Sequence, residues 1–344
     1  MRRWVIDQHG RDSLRIDEAS LPTPAHDEVL AKVSPVALNA RDLMMIEHGM
    51  GLALKFPFVQ ASDMAGVVEA VGQDVARFSV GDRVISNFLP DWIDGHPQGS
   101  ASEPSYRALG GHYPGVLAEY VCFPEAWFTK APTTLDDEHA STLPVAGLTA
   151  WFSLVEQGHL KAGETVLLPG TGGVALFALQ IATAHGATVI ITSASDDKLR
   201  RAEALGAAHT INRVTTDVVS EVLAHTGGRG ADHVLELVGG DNFARSVEAV
   251  AVGGRISVIG LQSGGQLNAA TTPILLKAPV IQGIVTGHRR ALEDLVRAVD
   301  HIGLKPVIDR SFSFERLPAA LDHLAGGPFG KVAINVSTGS GTAQ

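Results

Sequence analysis

The chain has 344 residues, 45% of them hydrophobic and 19% charged, and a formal net charge of −10 at pH 7. This composition is typical of a globular protein of about two domains, and its acidic balance argues against nucleic acid and membrane surfaces as partners. Because neither a signal sequence nor an apolar run near the roughly 20 residues of a spanning helix occurs, we expect a soluble, cytoplasmic protein.

The cysteines and histidines argue against a metal site. Cys122 is the single cysteine, so neither an internal disulfide nor a zinc site with several thiolates can form. No two of the 14 histidines are three or four residues apart, the spacing that places two ligands on one helix face. We therefore expect no metal ion.

The first 145 residues are predicted to be rich in β-structure. Segments with strand composition, separated by turn-forming residues, occur at 29–33, 66–71, 81–86 and 118–123. We expect this part of the chain to form a domain of short strands.

From residue 165 onwards, apolar strands alternate with helices. The predicted strands are 165–168, 188–192, 208–211, 232–237, 255–260 and 280–285, and the predicted helices are 173–185, 196–205, 216–225 and 243–250. Near-continuous apolar strands separated by helices indicate a parallel sheet covered on both faces. The sequence therefore predicts a doubly wound α/β domain.

The first strand of this series runs into "LLPGTGGVALFALQ" at 167–180. Gly170, Gly172 and Ala175 match the G-x-G-x-x-G/A pattern, which provides a tight turn, close backbone approach to a pyrophosphate, and helix packing on the strand. The N–H groups at the start of the helix can bind an anion. We predict that a dinucleotide binds to Gly170, Thr171, Gly172, Gly173 and Val174.

The end of the second strand distinguishes NAD(H) from NADP(H). An NAD site places an acid there, but this chain has Ser193, followed by Ser195 and Lys198. Asp196 and Asp197 stand in the first turn of the next helix, where acids complement the helix dipole. We expect NADP(H) in preference to NAD(H); an ordinary exposed helix face is the alternative for the basic residues.

The end of the chain returns to the first domain. Beyond Gly287 the pattern predicts two helical segments and a strand, at 288–302, 315–325 and 330–336, and then a disordered polar tail, STGSGTAQ. The predicted parts are 1–146 and 288–344, which together form one domain, and 147–287. The strand "PVIQGIVTG" lies at the edge of the central sheet, and its apolar edge favours a homodimer or a tetramer.

Six segments resemble the medium-chain dehydrogenase/reductase family, in particular its quinone oxidoreductases and alcohol dehydrogenases. They are ALNARDL, GVVEAVG, VGDRV, LPVAGLTAW, LLPGTGGVALFALQIA and GADHVLELVGG. Their order along nearly the whole chain is more specific than the glycine motif alone. The resemblance implies a GroES-like β-barrel catalytic domain built from both chain ends, a central Rossmann domain, and a nicotinamide in the cleft between them.

The resemblance also implies further cofactor contacts. Thr149 matches a threonine near the nicotinamide, and Lys331 matches a basic position that reaches the pyrophosphate, with an exposed strand-start lysine as the alternative. The other contacts follow the fourth, fifth and sixth strands at the carboxyl edge of the sheet: Leu237, Val238, Gly239, Ile259, Gly260, Leu261, Ile284, Val285 and Thr286.

The sequence departs from the zinc-dependent members of this family. Asn39 stands in place of a cysteine ligand, Ala61-Ser62-Asp63 in place of Gly-His-Glu, and Val145 in place of a third ligand. Residues 89–115 replace a lobe with four zinc-binding cysteines and contain none. Because these side chains cannot form a tetrahedral zinc site, the resemblance implies a zinc-independent enzyme.

Without a metal, hydrogen bonds have to stabilise the oxygen on which charge develops. The candidates lie on the former ligand segments and on 89–115: Asn39, Arg41, Asp42, Ser62 and Tyr113, with Tyr106 as a second phenol. Asn39 is the candidate donor to a substrate oxygen, and the tyrosines are candidate proton donors. The alternatives are a structural Arg41–Asp42 pair, a buried, hydrogen-bonded Asp63, and tyrosines that only pack.

Conjugate reduction is the easier reaction without a metal, because charge delocalises into an enolate. We therefore predict a metal-free NADP(H)-dependent oxidoreductase that reduces a small quinone or α,β-unsaturated carbonyl compound. Two alternatives remain open: an alcohol or ketone dehydrogenase without zinc, and a nucleotide-binding protein without turnover.

Overall fold

The computed structural model describes residues 1–336, so the predicted disorder of STGSGTAQ concerns residues outside the described ones. The chain divides into two compact units. Unit 1 comprises Met1–Leu148 together with the chain from His288 onwards, and unit 2 comprises Thr149–Gly287. Within residues 1–336, no helix combines the length and the apolar composition needed to cross a bilayer.

The first part of unit 1 consists mainly of strands. They are β1 (Arg2–Ile6), β2 (Leu14–Glu18), β3 (Glu28–Leu38), β4 (Phe58–Val59), β5 (Asp63–Val71), β6 (Arg83–Ser86), β7 (Tyr120–Pro124) and β8 (Phe128–Lys130). The helices are α1 (Ala40–His48), α2 (Asp137–Ala140) and α3 (Leu148–Trp151), the last flanked by π-helical turns at Leu143–Gly147 and Phe152–Glu156. The four predicted strands are confirmed as β3, β5, β6 and β7, while β1 and α1 were not predicted.

Unit 2 is the predicted doubly wound domain. Its strands are β9 (Thr165–Pro169), β10 (Thr188–Ser193), β11 (His209–Asn212), β12 (Ala231–Glu236), β13 (Val250–Val258) and β14 (Val280–Gly283). Its helices are α4 (Gly173–Ala184), α5 (Asp196–Ala204), α6 (Val218–His225), α7 (Asn242–Ala249) and α8 (Thr271–Lys277). The six strands are parallel in the order β11-β10-β9-β12-β13-β14, so the strand order reverses beside β9, where such sheets bind dinucleotides.

The chain then returns to unit 1. The last elements are α9 (Arg289–Ile302), β15 (Ile308–Ser313), α10 (Leu317–Ala325) and β16 (Lys331–Asn335). The predicted helices and the terminal strand are confirmed, and β15 was not predicted. β16 pairs with β3 in antiparallel register, Val332 opposite Leu38, so the two chain ends share one sheet.

The sheets of unit 1 do not form the closed barrel that the resemblance implied. The larger sheet has the order β15-β16-β3-β5-β6-β8, with β7 also paired to β3, and β2-β1-β4 form a separate sheet. Within the described residues no pairing joins β15 to β8. The reason lies in β3: residues 28–32 pair with β7, whereas residues 35–38 pair with β16, so the sheet branches along one strand.

Candidate functional site

The glycine turn after β9 leaves room for a ligand. Gly170 has φ +118°, a conformation that side chains rarely adopt, so the turn itself requires glycine there. Gly172 has an ordinary φ of −80° and no side-chain cap at the start of α4. A Cβ added to Gly172 would meet nothing within 4 Å. Neither strain nor packing requires glycine at 172, so the open space fits an approaching pyrophosphate.

The loops after β12 and β13 touch each other through their backbones. A Cβ on Gly260 would lie 1.9 Å from Leu237 O, and one on Gly239 would lie 2.6 Å from Gly260 O. Glycine at these positions therefore lets the two loops pack together at the carboxyl edge of the sheet. Two predicted cofactor contacts directly after β14 differ in exposure: Ile284 is 5% exposed, whereas Val285 is 57% exposed.

A buried carboxylate that the sequence analysis missed organises the first of these loops. Glu236, at the end of β12, is fully buried. It accepts hydrogen bonds from Val238 N and Gly239 N, both at 2.9 Å, from Asn242 Nδ2 at 2.8 Å, and from Ser246 Oγ. A single glutamate in an apolar strand looks like a chance polar residue, so the sequence carried no signal for this role.

Two predicted cofactor residues have unpaired polar atoms. Thr149 and Thr286 are each 1% exposed, and within residues 1–336 neither Oγ1 has a hydrogen-bond partner. A buried hydroxyl without a partner costs about 1–3 kcal/mol. Both hydroxyls therefore fit contacts to a polar ligand of unit 2, as the nicotinamide carboxamide and ribose would be.

The structure brings together the three residues predicted to read a 2′-phosphate. Ser193 Oγ accepts a hydrogen bond from Ser195 N at 3.2 Å, and Ser195 Oγ accepts one from Lys198 N at 3.4 Å. The sequence analysis missed the exposed Arg213, whose backbone N donates to Ser193 O at 3.0 Å. This hydrogen bond places the backbone of Arg213 beside that of Ser193. Its position directly after the third strand is the signal that could have identified it.

The acids beside these residues have partners of their own. Asp196 Oδ1 accepts a hydrogen bond from Asn212 Nδ2 at 2.6 Å, and Asp197 forms an ion pair with Arg200 at 3.1 Å. The Arg200 charge offsets part of the Asp197 charge, whereas the neutral Asn212 amide leaves the charge of Asp196 in place.

Three strand ends meet in unit 1 and form a polar cluster. Asn39 follows β3, Ser62 precedes β5, Asp63 begins β5, and Lys331 begins β16. Because β3 lies between β5 and β16, with Ala37 opposite Asp63 and Leu38 opposite Val332, these ends adjoin. We call Asn39, Asp42, Ser62, Asp63 and Lys331 the Lys331 cluster.

Hydrogen bonds connect the members of the cluster. Lys331 Nζ donates to Asn39 Oδ1 and to Leu38 O, both at 2.6 Å. Asp63 accepts from Ser62 Oγ at 2.6 Å and from Val145 N at 3.1 Å. Asp42 Oδ2 accepts from Asn39 N at 2.8 Å and so holds the start of α1.

The position of Lys331 rules out one of the two expectations for it. Its side chain is 3% exposed, so the alternative of an exposed strand-start lysine is wrong. Both of its hydrogen bonds are made within unit 1, because pairing of β16 with β3 places it beside the end of β3. A contact with the pyrophosphate stays a prediction.

Arg41 anchors the 89–115 segment. Its Nε donates to Tyr106 Oη at 3.0 Å, and its other nitrogens donate to Leu109 O at 3.3 Å and Gly110 O at 3.2 Å. It also lies 3.3 Å from Asp42 Oδ1. This arrangement favours the structural interpretation of Arg41 over contact with a substrate.

Tyr113 makes its hydrogen bond outside the cluster. Its hydroxyl donates to Asp91 Oδ2 at 2.7 Å. Burial, followed by the hydrogen bond to Asp91, raises the pKa of Tyr113 above its ordinary value. A phenol in this setting gives up its proton less readily, which weakens the case for Tyr113 as a proton donor.

Burial shifts the titration of the charged members of the cluster. It raises the pKa of Asp42 to about 6, although the Arg41 charge opposes the rise. It also raises the pKa of Asp63, against the Lys331 charge and the hydrogen bond from Ser62. It lowers the pKa of Lys331, while the two carboxylates oppose that change. The cluster therefore depends on its internal partners rather than on water.

We expect the contribution of Asp42 to the free energy of unfolding to fall by about 3 kcal/mol as the pH rises from about 4 to above 6. The pKa of Asp42 is raised from 3.8 to about 6 in the folded protein, so the folded state holds the proton more tightly. That stabilisation is complete below the unfolded pKa and is lost as the pH passes the folded one.

The measurement is urea unfolding at several pH values, with Asp42→Asn as the comparison. The Asn side chain keeps an oxygen for Asn39 N but does not titrate, so the fall should be smaller in the variant. The pKa of Asp63 is raised as well, and its charge interacts with that of Asp42, so the difference between the two proteins includes this coupling. Parallel pH profiles would contradict the assignment to Asp42.

The former zinc-ligand positions do not fit a zinc ion. Asn39, Ser62 and Val145 offer neither thiolate nor imidazole, and the Asn39 oxygen is already held by Lys331 Nζ. A buried lysine nitrogen and a dication would compete for the same acceptors. In the described part of the chain, no three His, Cys, Asp or Glu side chains are grouped as they would be around a metal.

An open cavity borders the 89–115 segment of unit 1. Its volume is about 530 Å³. Its lining includes Leu52, Gln98, Ser100, Glu103, Tyr106 and His112. Since Arg41 donates to Tyr106, the cavity and the Lys331 cluster are connected through one side chain.

Comparison with known proteins gives consistent matches over most of the chain. The models of the alcohol dehydrogenase GroES-like domain and of the zinc-binding dehydrogenase match residues 25–133 and 173–301. A zinc-type alcohol dehydrogenase-like protein of Schizosaccharomyces pombe is 37% identical and aligns over 97% of this chain and 99% of its own. The quinone oxidoreductase of Homo sapiens is 25% identical, over 94% of this chain and 93% of that protein.

A solved structure is more similar still. The protein comes from Sinorhizobium meliloti 1021 and is provisionally assigned as an alcohol dehydrogenase. It is 56% identical, with a TM-score of 0.95, and the match covers 97% of this chain and 98% of that chain.

Proposed function

The chain belongs to the medium-chain dehydrogenase/reductase family, and from this premise we propose that it is a metal-free NADP(H)-dependent reductase of quinones or α,β-unsaturated carbonyl compounds. Membership makes the chain an oxidoreductase with a GroES-like domain and a nucleotide-binding domain. The choice of cofactor, of acceptor and of a metal-free mechanism is the proposal.

The observation that carries the proposal is the chemistry of the Lys331 cluster. The amide of Asn39 and the hydroxyl of Ser62 stand where zinc-dependent members have metal ligands, and the Lys331 ammonium is hydrogen-bonded to that amide. An enzyme without a Lewis acid has to rely on hydrogen bonds to the oxygen that becomes negative. Enones and quinones need less such stabilisation than simple ketones, because their charge is delocalised.

The residues of unit 2 fit the cofactor. Gly170 to Val174 at the start of α4 would hold the pyrophosphate, and Thr149 and Thr286 would pair with the nicotinamide half. Ser193, with Lys198 and Arg213, would hold the 2′-phosphate. A cofactor held by these residues would supply a hydride to the β-carbon of the acceptor.

The residues of unit 1 act on the acceptor. Asn39 Nδ2, a buried donor without a partner, would donate to the acceptor oxygen. Solvent then supplies the proton that completes the reduction. Arg41 keeps the 89–115 segment in place beside the cavity, so its role is to shape the site.

The proposal is tested by comparing NADPH and NADH oxidation by metal-stripped protein with a simple quinone and a simple enone. We expect faster turnover with NADPH, unchanged by a chelator, and a saturated ketone as the product of the enone. An allylic alcohol would favour the zinc-free alcohol dehydrogenase alternative. Tight NADPH binding without turnover on any quinone, enone or aldehyde would favour the non-catalytic alternative.

We also propose that the chain forms at least a homodimer through β14. This strand is at the sheet edge, and Val280 and Ile281 are 46% and 40% exposed. An apolar edge in this position favours pairing with a second copy. We expect sedimentation to give at least twice the chain mass of 36.1 kDa and Ile281→Lys to give the monomer.

The control for the dimer is Val252→Lys. Val252 is 77% exposed on β13, so the same charge is introduced away from the edge strand. It should leave the mass unchanged. A monomeric wild-type protein would contradict the proposal.

A further inference from the structure

The Asn39 amide is held at one end and unpaired at the other. Lys331 Nζ donates to its Oδ1 at 2.6 Å. Asn39 is 8% exposed, and within residues 1–336 its Nδ2 is buried without a hydrogen-bond partner. Because a buried unpaired donor costs about 1–3 kcal/mol, its presence indicates a ligand that pairs with it.

Lys331 determines which end of the amide is held. A lysine ammonium only donates hydrogen bonds, so the amide has to present its oxygen, and Nδ2 is turned away. A hydrogen-bond contact from the amide to Asp63 helps to oppose the rise of the pKa of that carboxyl, although its geometry falls short of a full hydrogen bond. An amide nitrogen carries two hydrogens, so at least one remains for another acceptor.

The surroundings prevent Lys331 from moving. Its nitrogen is also bound to Leu38 O at 2.6 Å, and the side chain is 3% exposed. Asp42 and Asp63 supply opposing charge on the neighbouring elements. The donor at Asn39 is therefore oriented before any substrate arrives, and a preoriented donor needs no reorganisation during the reaction.

We propose that Lys331 is a positioning residue, which holds the Asn39 amide so that Nδ2 donates to the substrate oxygen that becomes negative on hydride transfer. This inference rests on the proposed function. Lys331 acts through Asn39 and touches neither substrate nor cofactor, in contrast to the pyrophosphate contact that the family resemblance implied.

Two substitutions that remove the same charge test this role. Lys331→Met has no donor, whereas Lys331→Gln keeps an N–H for Asn39 Oδ1. We expect Lys331→Met to lower kcat for quinone reduction at least tenfold with an unchanged KM for NADPH, and Lys331→Gln to recover most of that loss. Adding Lys331→Met to Asn39→Leu should cause no further loss, since both act through one hydrogen bond.

Binding of 4-nitrophenolate provides a measurement without turnover, because its charged oxygen resembles that of an enolate. With the protein saturated with NADP⁺, we expect Lys331→Met and Asn39→Leu to bind it at least tenfold more weakly than wild type, and Lys331→Gln to bind it nearly normally. The Kd for NADP⁺ should be the same in all four proteins.

Three results would overturn the inference. They are weaker NADP⁺ binding by Lys331→Met, which would assign the lysine to the pyrophosphate; equal 4-nitrophenolate binding by all four proteins; and no binding by the wild type. Lack of turnover by the wild type would instead count against the proposed function, and the 4-nitrophenolate comparison would still decide the role of Lys331.

Lys331→Met leaves Asp42 and Asp63 without their opposing charge and is the variant most prone to unfold. If it does not fold, quinone turnover, 4-nitrophenolate binding and NADP⁺ binding are compared in an Asp42→Asn background. That substitution removes one of the two buried carboxylates. The expected differences between Met, Gln and Lys at 331 are unchanged there.

Discussion

Gly172→Asp is expected to weaken NADPH binding at least a hundredfold, about 2.7 kcal/mol, without lowering stability. The new carboxylate would occupy the open space above the turn and repel the pyrophosphate. Aspartate is a good helix cap and complements the dipole at the start of α4. The φ of −80° suits any residue. The measurements are the Kd for NADPH and urea unfolding.

Gly172→Asn is the matched control, because it has the same shape without the charge. It should bind NADPH better than Gly172→Asp and worse than wild type. Gly170→Ala, unlike Gly172→Asp, should lower the free energy of unfolding, because φ +118° at this position strains any side chain. Wild-type affinity for NADPH in Gly172→Asp would mean that the dinucleotide does not bind at this turn.

Glu236→Ala is expected to lower the free energy of unfolding by about 3–5 kcal/mol. The substitution leaves four donors without their acceptor: Gly239 N and Ser246 Oγ, which are buried, and Val238 N and Asn242 Nδ2, which are partly buried. It also frees the loop at 237–239, so the KM for NADPH should rise. Urea unfolding and steady-state kinetics measure the two effects.

Glu236→Gln separates the loss of the acceptor from the loss of charge. Its amide oxygen can still accept from Val238 N and Gly239 N, and its NH₂ can donate if the Asn242 amide turns over and Ser246 Oγ accepts. We expect most of the stability to be retained. A loss of less than about 1 kcal/mol in Glu236→Ala would show that water replaces the carboxylate.

Much of unit 2 could be predicted from the sequence because its signals are local. Strands of four to nine residues, helices of eight to twelve and a glycine turn each depend on neighbours in the chain. Helix α8 was missed: it has only seven residues, and Leu275 and Leu276 on it are 72% and 75% exposed. A helix without a buried apolar face lacks the repeat of apolar residues every three to four positions by which helices are predicted.

Unit 1 was less predictable because its strands are short and pair over long distances. β1 lies at the start of the chain but belongs to a sheet with β4, more than fifty residues later. The prediction of a closed barrel was wrong for a similar reason. Strand β3 pairs with two strands that are distant in the chain, β7 and β16. Neither choice of partner is visible in the composition of a strand.

The sequence by itself determined the alternation of strands and helices and the glycine turn, because each is a property of adjacent residues. It also showed the loss of zinc-ligand side chains, because that needs only the residue identities at the positions that the resemblance gives. Only the tertiary structure decided that Lys331 contacts Asn39, nearly three hundred residues away, and that Arg213 adjoins Ser193 across two strands. The physical reason is that these contacts follow from sheet register. Register depends on the packing of the whole unit rather than on local preference.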